Sequence, residues 1–74
     1  MIVTIIYNTD FRDNAGSLKA AVMAEWSDAS VNMLGIRDTL NGAKYQIQHD
    51  GGIVYSSTIT TNNTTIINSI KERL

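Results

Sequence analysis

Ile2-Val3-Thr4-Ile5-Ile6-Tyr7 is the most continuous run of β-branched residues in the chain, and it constrains the fold more than any other stretch. β-Branched side chains are stiff about χ1 and pack well on a pleated surface, so the run reads as a strand. Its apolar residues are nearly continuous rather than alternating. That pattern predicts a central strand, buried on both faces, with a parallel neighbour. In α/β domains the crevice beyond the carboxyl end of such a strand is where ligands and chemistry usually sit. Here the place is taken by Asn8, Thr9, Asp10, Phe11, Arg12, Asp13 and Asn14, with Phe11 the one apolar member. So polar a stretch reads as a loop.

The rest of the chain supplies layers around that strand. From about Ala15 to Trp26 the spacing predicts a helix, with Leu18, Val22 and Trp26 on one stripe, Ala15 and Ala21 beside it, and Asn14 or Ser17 as its cap. Ser30 to Leu34 resumes as a short strand. A strand-helix-strand crossover of this kind makes its two strands parallel. Gly35 to Ala43 reads as a loop with a turn at Asn41-Gly42. Lys44 to His49 alternates, with Tyr45, Ile47 and His49 on one side and Gln46 and Gln48 on the other. Asp50-Gly51-Gly52 turns the chain, and Ile53 to Ser57 returns with Ile53 and Tyr55 on one face. The polar side of this hairpin implies that helices cover only one face of the sheet. After a Thr- and Asn-rich connector, Thr64 or Asn63 caps a last helix whose stripe is Ile66, Ile67, Ile70 and Leu74. The expected fold is therefore a single α/β domain over residues 1–74, ordered β-α-β-β-β-α. It has two layers: a four-stranded mixed sheet with two helices on one face.

Composition closes off several function classes. The chain has no cysteine, which excludes disulfides, thiol nucleophiles and thiolate metal sites. Its formal net charge is -1, and Arg12, Lys19, Arg37, Lys44, Lys71 and Arg73 are scattered rather than clustered. Nucleic-acid binding is therefore not expected, because it draws on a concentrated basic face. The opening apolar run is too short to cross a bilayer and lacks a basic leader, so no membrane is implied and a cytoplasmic location is expected. No cofactor is implied either, since there is neither a phosphate loop nor a dinucleotide fingerprint.

Laid out in order, the elements resemble a compact thioredoxin-like domain, closest to the selenoprotein W-like (Rdx) family. Val3 to Tyr7 stands against that family's opening strand. Leu18-Lys19-Ala20-Ala21-Val22 with Trp26 matches the first helix, and Gly42-Ala43-Lys44-Tyr45-Gln46-Ile47 the third strand. Gly52-Ile53-Val54-Tyr55-Ser56-Ser57 and Ile66 to Leu74 follow in place and length. The resemblance implies a redox pair after the first strand. Asn8 and Phe11 stand at its two positions, and the chain also lacks proline, so the cis-proline of thioredoxins proper is absent. An amide and a phenyl ring cannot carry out thiol-disulfide exchange. Read this way, the chain is a redox-inactive member, and no catalytic residue carries over.

The candidate binding loop is Asn8, Thr9, Asp10, Phe11 and Asp13, weighed against the plainer reading of a connector that caps a helix. Phe11 reads better as a core contact than as an exposed anchor. His49 stands alone and gives no metal set; beside Asp50 at a turn it is expected to be solvated. Asp10, Asp13 and Glu25 could form an acid-base pair only if the fold brought them together. Tyr45, Tyr55 and Trp26 read as core, with an open sheet face or a free sheet edge as the alternative docking surface. The expected function is a non-catalytic accessory domain acting on a protein partner or on a second copy of itself. The alternatives are a small-ligand binder or enzyme using the loop, and a nucleic-acid module. A short accessory chain of this kind would suit a phage or mobile element.

Overall fold

β1 (Ile2–Asn8) runs into a single 3-10 turn (Thr9–Phe11) and then α1 (Arg12–Glu25). β2 (Ser30–Ile36), β3 (Tyr45–His49), β4 (Gly52–Ser57) and α2 (Asn63–Lys71) follow, in a computed structural model that describes residues 1–74. The strands form one sheet in the order β2-β1-β3-β4. β1 is parallel to β2 and antiparallel to β3, and β3 is antiparallel to β4. The element order, the interior position of the first strand and its parallel partner are those expected from the sequence.

Side chains alternate along a strand, so each residue belongs to one face of the sheet. Val3, Ile5, Tyr45 and Ile47 form the covered face. They are sealed by Ala15, Leu18 and Val22 of α1 and by Ile66 and Ile70 of α2, all nearly inaccessible to solvent. Both helices lie over this face. Burial of an aliphatic side chain is worth about 1.5–3 kcal/mol, so these residues carry most of the favourable term in a domain this small. Across the helix pair, Lys71 Nζ meets Glu25 Oε1 at 2.8 Å and Asn63 Nδ2 donates to Ser17 Oγ at 2.9 Å. No helix is long and apolar enough to cross a membrane.

Several local expectations are corrected. The stretch read as a loop is helical from Thr9 onward, and α1 begins at Arg12 rather than near Ala15. Neither Asn14 nor Ser17 caps it. Asn8, in extended conformation, caps the 3-10 turn instead, its Oδ1 accepting from the Asp10 N–H at 3.0 Å. Asn62, not Asn63 or Thr64, caps α2, accepting from the Thr65 N–H at 2.8 Å. β2 extends two residues past Leu34, to Ile36. A bulge in β4 sets Ile53 opposite Gln48 and Tyr55 opposite Ile47, so Ile53 and Tyr55 lie on opposite faces rather than one. Leu74 lies beyond α2 and is exposed. β1 is not sealed on both sides: Ile6 is buried on the second face, but Ile2 is half exposed.

Two turns form as the sequence signals. Asn41 and Gly42 both take positive φ (51° and 84°) beneath a Leu40–Ala43 bridge, as do Asp50 and Gly51 (47° and 87°) between β3 and β4. Paired positive φ values suit the right-handed twist of the flanking strands.

Candidate functional site

The five residues of the candidate loop divide into two kinds. Asn8 is buried, and its side chain is committed to the scaffold: Oδ1 caps the 3-10 turn, and Nδ2 donates to the carbonyls of Asp38 (3.0 Å) and Arg37 (3.4 Å). One amide thereby clamps the β1–α1 junction to the loop after β2. Phe11 turns inward as expected. It is half buried against the core, its ring edge-on to Tyr45 with centroids 6.2 Å apart. Thr9, Asp10 and Asp13 are exposed.

Tyr45 is the anchor beneath this junction. Its ring also packs edge-on to Tyr55, and its hydroxyl donates to the Asn14 carbonyl at 3.4 Å. Burial, helped by the nearby Tyr55 hydroxyl, pushes the Tyr45 phenol up to about 12. The three carboxylates weighed for acid-base work are not joined. Glu25 pairs with Lys71 at the far end of α1 from Asp13.

At the opposite end of the sheet, His49 is buried rather than solvated, because a residue far along the chain covers it. Arg73 Nε donates to His49 Nδ1 at 3.2 Å, and Arg73 Nη2 to the His49 carbonyl at 3.4 Å. His49 Nε2 lies 3.4 Å from Asp50 Oδ2 but makes no hydrogen bond. Gly52 makes room for this strap, since a Cβ there would run into the Arg73 guanidinium. Asp50 Oδ1 accepts from the Ile2 N–H at 2.7 Å, latching the start of β1 to the turn. That bond, with smaller help from His49, the amino terminus and Arg73, holds the Asp50 carboxyl below the usual range. The arrangement is a fastening: one histidine, no cluster of metal-ligating residues and no surface pocket.

What remains is the second face of the sheet, which no helix covers. β1 gives it Ile2, Thr4, Ile6 and Asn8; β2 adds Asn32, Leu34 and Ile36; the hairpin adds Gln46, Gln48 and Ile53. No strand residue on it is charged. Ile2, Leu34 and Ile53 are 51%, 53% and 57% exposed, while Ile6, Asn8 and Gln46 of the same face are buried, Ile6 standing in register between Leu34 and Gln46. Gln48 donates to Gln46 and Gln46 to Ser56 (3.0 and 3.2 Å), satisfying the amides in a ladder. The sequence hinted at this face through Gln46 and Gln48. It did not single out Leu34 or Ile53, whose positions follow from register and from the bulge.

These features define a two-layer α/β domain with one roofed and one open sheet face. No protein-family model matches the chain, and no curated protein matches it.

Proposed function

We propose that this protein is a non-catalytic, redox-inactive domain of thioredoxin-like type that works by binding another protein across the open face of its sheet. The observation that carries this reading is the uncharged face on which Ile2, Leu34 and Ile53 stand more than half exposed. Large exposed aliphatics on a flat, uncharged surface are what a protein interface desolvates at little cost. The element order and the sheet order β2-β1-β3-β4 support the thioredoxin-like part of the reading. So does the fate of the two positions where the resemblance implies a redox pair. Asn8 and Phe11 serve there as a backbone clamp and a core contact.

Affinity capture with three versions of the chain tests the proposal. Thr4→Lys together with Ile53→Lys charges the open face, whereas Met23→Lys charges an exposed position on α1. Partners held by the native chain should be lost with the open-face variant and kept with the α1 variant. Retention by both, or loss only when Thr9 and Asp10 are replaced by alanine, would overturn the reading in favour of another surface.

A further inference from the structure

The two edges of the sheet are built differently. β4 is blunted: it carries the bulge, and Tyr55 Oη donates to the Ile59 carbonyl at 2.7 Å, tying back the segment that follows. β2 has none of the usual protections of an edge, such as a charge, a proline or a bulge. Ser30–Ile36 reads Ser-Val-Asn-Met-Leu-Gly-Ile and runs in unbroken register along β1.

One hydrogen bond shows which backbone groups of β2 point outward. The Ser30 N–H donates to the Met1 carbonyl at 3.0 Å, so Ser30 turns its backbone towards β1. Backbone groups of successive strand residues alternate between the two edges. Asn32, Leu34 and Ile36 therefore turn inward too, and Val31, Met33 and Gly35 present their N–H and C=O groups to solvent.

The geometry points to a second copy of this chain as the occupant of that edge, with β2 pairing antiparallel to β2 of the second copy about a two-fold axis at Met33. In this register Met33 faces Met33 and Val31 faces Gly35, as the hydrogen-bonded pairs of an antiparallel ladder. Every outward donor and acceptor on both strands is then used. A shift of two residues in either direction leaves some of them unpaired. The side chains fit the same register. Leu34, exposed in the single chain, lies diagonally across from Leu34 of the second copy, within reach of a long side chain. Gly35, whose missing Cβ gives the Tyr7 ring its place on β2, lies opposite Val31. Neither strand desolvates a charge on pairing. Arg37, where the chain bends out of the ladder, falls near the Asp28 that precedes the other strand. A foreign strand would satisfy the backbone equally well; the match of this edge to itself is what selects a second copy. The inference concerns the edge and goes beyond the face proposed above.

Pairing through one strand buries less than the roughly 1,600 Å² of a standard interface, so association is expected from tens of micromolar upward. Sedimentation equilibrium from about 10 μM to 1 mM, with amide exchange measured at both ends, tests it. The chain should pass from monomer to dimer, with protection rising at Val31, Met33 and Gly35 as it does. Leu34→Lys sets two like charges diagonally across the axis and should weaken the dimer at least about tenfold. Ile53→Lys, equally exposed but on the other edge, should leave it unchanged. A chain monomeric at the upper concentration overturns the inference, whether or not partner capture succeeds. So does a dimer that forms without added protection on β2, or one that Ile53→Lys disrupts as strongly as Leu34→Lys.

Discussion

Both faces of the sheet are drawn from the same strands in alternation, yet they end in opposite conditions. On one, Val3, Ile5, Tyr45 and Ile47 are sealed under two helices; on the other, Ile2, Leu34 and Ile53 stand in solvent. β1 shows that composition alone does not decide this, since it contributes isoleucines to both sides. Topology decides it, because α1 and α2 return over the same face. Ile6 adds a refinement. It is almost as buried as the core residues although neither helix lies over it, and it stands in register between Leu34 and Gln46.

The contrast breaks most readily by substitution at matched aliphatics. Ile47→Ala opens a cavity under the helices and should cost about 2–5 kcal/mol, a large share of the stability of so small a domain. Ile53→Ala on the open face should stay within about 0.5 kcal/mol. Urea denaturation of the two variants measures the difference directly, and equal losses would mean that both faces are covered. Next in size is Asn8→Ala, which leaves the Asp10 N–H and the carbonyls after β2 without their partner. It should cost about 1–3 kcal/mol, whereas Thr9→Ala and Asp10→Ala, at exposed positions of the same loop, should cost little.

Smaller effects appear at the extremes of pH. Tyr45 holds its proton up to about 12 when folded, against about 10 in an unfolded chain. The stability it contributes is complete below about pH 10 and is lost as pH rises towards 12, so denaturation midpoints should fall across that interval. Ultraviolet titration should show the Tyr45 phenol ionising late. Asp50 works with the opposite sign. Its lowered carboxyl contributes above about pH 4, the unfolded value, and the contribution is lost as pH falls through the folded one. Asp50→Asn should flatten that acid limb, and an unchanged limb would show that the Ile2 latch adds nothing.

Much of the architecture was legible from period and punctuation. The alternation from Tyr45 to His49 marked one face as apolar and the other as polar, and the glycine turns fixed the hairpin. What the residues concealed was set elsewhere in the chain. The polar stretch from Asn8 read as a loop because asparagine and aspartate favour turns. The same residues also begin helices, and only the clamp to Arg37 and Asp38 distinguishes the two. His49 read as solvated because its cover, Arg73, comes from beyond α2. Ile53 and Tyr55 read as facing one way because a bulge leaves no trace in a two-residue period. Leu34 could be assigned to the open face only once β2 was in register with β1. The candidate site was therefore less legible than the fold: its loop residues were visible as a group, but which of them were already spent on the scaffold was not.

Methyl-resolved NMR with a soluble paramagnetic agent bears most directly on the one-sided sheet. At low concentration the methyls of Ile2, Leu34 and Ile53 should broaden strongly, while those of Val3, Ile5, Ile47, Ile66 and Ile70 keep their intensity. Uniform protection of both sets, or broadening of the second set alone, would contradict the account.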